Sequence, residues 1–177
     1  MIFKQVFDQK SSTYTYFIAS AKGREALIID PVIENVRNYI EILNKLDLKL
    51  VKVIDTHIHA DHVTGASKLK AETNCATVMG QNSPADTVDI KVKDNEVLKI
   101  DDLEIKAIYT PGHTSDSYSF LMEKYLFSGD TLLINGTGRT DFQNGCSKQA
   151  YDSIFNRLLK LPENTFLFPG HDYNGKK

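Results

Sequence analysis

Three histidines and an aspartate fall within six positions: His57, His59, Asp61 and His62, in the stretch THIHADHVTG. The chain has only two other histidines. His113 follows an apolar run in YTPGHT and His171 follows another in FLFPGHD, while Asp130 closes a third in LFSGDTL. A lone histidine is more often packed or solvated than ligating. Here all five follow an apolar run and a turn, the place where a rigid scaffold hands reactive groups to a loop. Imidazole together with carboxylate suits zinc, iron or manganese, whereas a soft-metal site would want thiolate. Cys75 and Cys146 are far apart and form no CxxC pair, so they read as two reduced thiols.

The spacing allows two metal positions. In an extended segment residues two apart share a face, so His57 and His59 can reach one ion. Asp61 and His62 come after the chain turns and can address a second position about 3.5–4 Å away. His113 can complete the first position and His171 the second, with Asp130 bridging them.

The elements that must carry these groups are short. IFKQVF, TYTYFIAS and EALIID read as strands, the last closed by Asp30-Pro31. In the second of these, residues alternate with both faces partly apolar. Val36, Tyr39, Ile40, Leu43 and Leu46 recur at three- and four-residue steps, as one face of an amphipathic helix. LVKVID is a buried strand that feeds the histidine cluster directly, and SKLKAET is a short helix. ATVMG, NEVLKI, LEIKAIYT and TFLFPG are further strands, and SYSFLM and KYLFSG form a hairpin turning at Glu123-Lys124. Ala150, Tyr151, Ile154, Phe155, Leu158 and Leu159 mark a second helix, ended by Pro162. Helices flanking packed sheets is the expected architecture.

Bulk properties narrow the function classes. A length of 177 residues suggests one domain, 1–177, able to bury a core without disulfides. Hydrophobic content of 41% and charged content of 25% fit an ordinary globular chain. A net charge of −2 with no run of one sign lacks the basic footprint of a nucleic-acid binder. MIFKQVFDQK has no apolar core of the signal-peptide kind, and no apolar run approaches the roughly 20 residues of a membrane span. The expected compartment is the cytoplasm, or the mitochondrial matrix if a targeting segment has been removed.

HIHADH, PGHT, SGDTL and PGHD, in this order and each at a strand end, resemble the five-part metal motif of the metallo-β-lactamase superfamily. The resemblance covers nearly the whole chain. It implies an α+β fold, the four-layer αββα sandwich of that superfamily, with metal held along one edge. The segment INGTGRTDFQNGCS, residues 134–147, resembles the stretch that follows the corresponding aspartate in persulfide dioxygenases of the ETHE1 type. Glyoxalase II, the nearest other branch, has a different segment there and a helical C-terminal domain. This chain stops six residues after His171, short for both branches.

The dioxygenase resemblance implies one Fe(II) per chain, held by His57, His113 and Asp130, with His59, Asp61, His62 and His171 as supporting groups. Two histidines and one carboxylate leave coordination positions open for substrate and oxygen. It further implies oxidation of glutathione persulfide, or a related small persulfide, to sulfite and glutathione. Oxygen is the co-substrate, neither nucleic acid nor membrane is a partner, and a homodimer is allowed for. The alternative is a thioester hydrolase of the hydroxyacylglutathione type with two Zn(II), since all seven residues serve both. Arg139 is the candidate for a substrate carboxylate, with a structural pair to Asp141 as the competing role. Tyr173 lies close enough to His171 to reach substrate, with simple packing as its alternative. Asp172 is expected to anchor its loop, and Gly136 and Gly138 to allow tight turns near the metal.

Overall fold

The computed structural model describes residues 1–173. Among these residues eleven strands form two sheets. The first sheet takes β1 (Ile2–Asp8), β2 (Thr13–Ala19), β3 (Glu25–Ile29), β4 (Lys49–Ile54), β5 (Ala76–Gly80) and β6 (Ile90–Val92), in sequence order. The second takes β7 (Val97–Ile100), β8 (Leu103–Tyr109), β9 (Tyr118–Met122), β10 (Tyr125–Gly129) and β11 (Phe166–Pro169), ordered β11-β10-β9-β8-β7. Helix α1 (Val36–Lys45) links β3 to β4 and α2 (Ala66–Thr73) precedes β5. Helix α3 (Ser147–Tyr151) runs on through a π-helical turn, Asp152–Arg157, and a 3-10 turn, Leu158–Lys160.

Alternation along the strands builds the layers. Tyr14, Tyr16 and Ile18 of β2 meet Ile105, Phe120 and Phe127 of the second sheet in the central core. Phe17 and Ala19, pointing the other way, pack with Val36, Tyr39 and Leu43 of α1 and Leu69 of α2. β2 is therefore buried along its whole length, as a strand covered on both faces must be. Leu158 packs with Ile108 and Leu126 on the outer face of the second sheet, giving the fourth layer. The fold is the αββα sandwich that the sequence resemblance implied, with mixed sheets.

Strand direction then decides where the chemistry falls. β3, β4 and β5 are mutually parallel, so their C-terminal ends share one edge. β8 and β10 both run antiparallel to β9, and β11 runs parallel to β10, so these three also end together. Asp30, the 55–62 stretch, His113, Asp130 and His171 follow β3, β4, β8, β10 and β11 respectively. The two sheets are tied at this edge by Tyr118 N–H donating to Thr56 O, and by Tyr14 N–H donating to Gly170 O. β6, only three residues long, was not foreseen from the sequence, nor was the π-helical turn.

Candidate metal centre

Residues 55–63 form no regular element after β4, and their conformation is held by side chains. Asp30, buried and with a left-handed φ of 49°, is the hub. Its Oδ1 accepts from Thr56 N–H at 2.7 Å and from His59 Nε2 at 3.2 Å. Its Oδ2 accepts from the Thr56 hydroxyl at 2.9 Å, whose oxygen lies 2.9 Å from His57 Nδ1. With its own proton given to Asp30, the Thr56 hydroxyl can only accept from His57, which puts the proton on Nδ1 and the lone pair on Nε2. The Asp116 carboxylate completes the support by accepting from Ile58 N–H at 3.0 Å.

His57, His113 and Asp130 offer ligand atoms that all lie within 4.8 Å of one another. His113 Nδ1 donates to the Arg139 carbonyl at 2.8 Å, the tautomer that leaves Nε2 as the ligating nitrogen of a neutral ring. That Nε2 faces Asp130 Oδ2 at 3.5 Å. A cation, whether a proton or a metal ion, is what such a nitrogen and carboxylate oxygen share. Burial, followed by the charge on His59, pulls the His57 imidazole down to about 3 and keeps it neutral, the form that ligates. Burial would raise Asp130, but donation from His171 outweighs it and holds the carboxyl down to about 2.

The other half of the pocket is wired differently. His171 lies between two carboxylates, with Nδ1 2.5 Å from Asp130 Oδ1 and Nε2 2.9 Å from Asp61 Oδ2. Burial opposes its charge, yet these two partners raise it to about 10, so both ring nitrogens are donors and neither offers a lone pair. Asp61 Oδ2 also accepts from His62 Nδ1 at 2.8 Å, and its carboxyl is held well below the usual range by these bonds despite partial burial. His59, Asp61 and His62 form a second group within 4.8 Å, so His59 is clustered with the second set of residues as well as lying against the His57 ring at 4.3 Å. His59 Nδ1 and His62 Nε2 are buried with no hydrogen-bond partner among the described residues. Burial works against charge on His59, but Asp30, Asp55 and Asp61 raise it to about 9. The pocket demands positive charge, by proton or by metal, and a metal that replaced the His59 proton would find the unpartnered His59 Nδ1 and His62 Nε2 as ligands. Asp55, driven up to about 6 by burial, has both oxygens bonded by the Thr64 hydroxyl.

The remaining sequence candidates are placed unevenly. The Arg139 guanidinium is exposed and makes a two-pronged pair with Asp141, at 2.8 and 3.0 Å, so it is the Arg139 carbonyl that touches the centre. Tyr173 stacks flat on His171, ring centroids 5.1 Å apart, with 63% of its surface exposed. Asp172 ties its loop to β2 by accepting from the Tyr14 hydroxyl at 3.2 Å. Gly138 is required by contact: a Cβ there would lie 2.4 Å from Asp130 O and 2.7 Å from His113 Nδ1. Gly136 has open space around it, and the left-handed residue of its turn is Asn135. The expectation that both glycines serve the turn is thus corrected: Gly138 serves close approach and Gly136 has no such need. Asp30, Thr56, Asp55 and Thr13, whose hydroxyl donates to Asp61 Oδ2 at 3.3 Å and lies 3.1 Å from His171 Nε2, were not singled out from the sequence as parts of the site. Asp30 carried one available signal, its position directly after an apolar strand, as with the other acidic and histidine groups.

The model of the metallo-β-lactamase superfamily matches residues 9–85 and 81–171. A solved structure of ETHE1 from Myxococcus xanthus superposes with a TM-score of 0.97 at 44% identity, covering 100% of this chain and 78% of that one. The mitochondrial persulfide dioxygenase ETHE1 of Mus musculus is 36% identical over 99% of this chain and 70% of its own length. A hydroxyacylglutathione hydrolase of Dictyostelium discoideum is also 36% identical, over 92% of this chain and 63% of its own length. No helix among the described residues is long and apolar enough to cross a membrane.

Proposed function

The chain belongs to the metallo-β-lactamase superfamily, in its ETHE1 persulfide dioxygenase branch, and from that premise we propose that it is an iron-dependent dioxygenase converting glutathione persulfide, or a related small persulfide, to sulfite and the free thiol. The observation that carries the reading is the division of labour between the two halves of the pocket. His57 Nε2, His113 Nε2 and Asp130 Oδ2 converge as free ligand atoms, while His171 has both nitrogens engaged. His57, His113 and Asp130 would hold one Fe(II), a two-histidine, one-carboxylate donor set. When bound, that iron supplies the one-electron chemistry that lets dioxygen react with a persulfide sulfur.

The protein groups supply orientation. Asp30, through Thr56, fixes the His57 tautomer, and the Arg139 carbonyl fixes that of His113. His171 holds Asp130 Oδ1 and so turns Oδ2 into the pocket. Tyr173, stacked on His171 and exposed, would reach substrate, and Arg139 would reach a substrate carboxylate by leaving Asp141.

A second reading, a two-zinc thioester hydrolase, is favoured by the bare buried nitrogens of His59 and His62 and by the Dictyostelium relative. Metal counting separates the two. Protein purified without oxygen is expected to carry close to one iron per chain and little zinc. Two tightly held zincs in the active form would refute the iron reading.

A further inference from the structure

Residues 55–63 lie outside any strand or helix, so the peptides between His57 and His59 have no ladder to pair with and depend on side chains. Both find one. The 57–58 peptide gives its N–H, that of Ile58, to Asp116 Oδ2 at 3.0 Å. The 58–59 peptide offers its carbonyl, Ile58 O, which accepts from Gln143 Nε2 at 3.1 Å. A carbonyl can only accept, so the Gln143 amide is fixed with its nitrogen towards Ile58. Two planar peptides held on either side of one Cα fix φ and ψ of Ile58 between them. Those two angles set how His57 stands relative to His59, whose rings lie 4.3 Å apart.

The backbone that delivers Gln143 is unusual. Gln143 and Asn144 are successive residues with left-handed φ, 47° and 58°. Asparagine visits that region readily and glutamine rarely, and such a backbone persists where its surroundings over-determine it. Here the surroundings are the loops of the candidate ligands. Gly138 N–H donates to Asp130 O, and Cys146 N–H donates to Gly112 O beside His113, both at 2.8 Å. Between them the Arg139 carbonyl accepts from His113 Nδ1. Gln143 adds the His57 loop, 85 positions away in sequence. One segment, 138–146, therefore touches all three loops that carry His57, His113 and Asp130.

We propose that Gln143 is a positioning residue for the metal, which with Asp116 locks the Ile58 backbone and so presents His57 to an ion shared with His113 and Asp130. The proposal deepens the iron reading above and rests on it for the ligand set. Gln143 acts through the backbone, not by contact with metal or substrate.

The test reads metal binding apart from turnover. Gln143→Met keeps the reach of the side chain and loses the donor, and Gln143→Glu turns the donor into an acceptor facing the Ile58 carbonyl. In a chelator competition each should bind Fe(II) about tenfold more weakly than the wild type. Their Co(II) forms should show a shifted visible absorption band. Asp116→Asn keeps an oxygen for the Ile58 N–H and should hold Fe(II) as the wild type does, whereas Asp116→Leu should lose affinity as the Gln143 variants do. Asn144→Gly suits the left-handed turn, leaves the Ile58 bonds in place and should change neither readout. Wild-type affinity and spectrum in either folded Gln143 variant overturn the proposal. So does an equal loss in Asn144→Gly, which would trace the effect to the loop at large. If the wild type consumes no oxygen with persulfide, the dioxygenase reading fails by itself, because the chelator titration judges Gln143 without turnover.

Discussion

Asp30 does for the centre what no single histidine can. One buried carboxylate receives Thr56 N–H, the Thr56 hydroxyl and His59, and so sets which nitrogen of His57 is left bare. Replacing it by Asn removes a charge and turns one acceptor into a donor that faces donors. Asp30→Asn should weaken iron affinity about 10–100-fold, the usual cost of losing such an outer partner. A competition titration with a chelator reads this directly, and unchanged affinity in folded protein would contradict the role. The histidines themselves should be unequal. His57→Ala is expected to abolish iron retention, whereas His62→Ala, whose ring is bonded to Asp61, should keep much of it. Equal collapse in both variants would favour two metals.

Between elements, α2, β5 and the approach to β6 are tied together by one carboxylate. Asp89 accepts from Lys70 of α2 and from the Thr77 N–H and hydroxyl of β5. Lys70 first, then the Thr77 bonds, lower its carboxyl from 3.8 to about 2. A carboxyl depressed by folding contributes stability above its unfolded value and loses it as pH falls through its folded value. The Tm of Asp89→Asn should lie below that of the wild type at neutral pH. The gap should close between about pH 4 and pH 2, and a gap that does not change with pH would sink this assignment. Element-scale legibility in the sequence was uneven for physical reasons. β2 announced its double burial by being apolar on both faces. β6, the short IKV between Asp89 and Lys93, offered too little pattern. In the helix after residue 147 all six apolar positions invited burial, yet only Ala150, Ile154 and Leu158 are covered, while Tyr151, Phe155 and Leu159 stay exposed.

For the whole molecule, the motif residues were legible because metal chemistry demands rare side chains at strand ends. Their wiring was not. That His171 would be clamped between Asp130 and Asp61, or that Asp30 would reach Thr56, depends on partners 26 to 110 positions apart that only the packing of two sheets brings together. In the proposed reading this wiring divides one pocket into a ligating half and a supporting half and favours oxidation over hydrolysis. Both activities can be read on one anaerobically purified, iron-loaded preparation, with an oxygen electrode and sulfite assay for glutathione persulfide and thioester absorbance for S-lactoylglutathione. The expected result is persulfide-dependent oxygen uptake with matching sulfite release, lost on iron removal and restored by Fe(II), alongside slow thioester cleavage. Fast thioester cleavage with no persulfide-dependent oxygen uptake would contradict it.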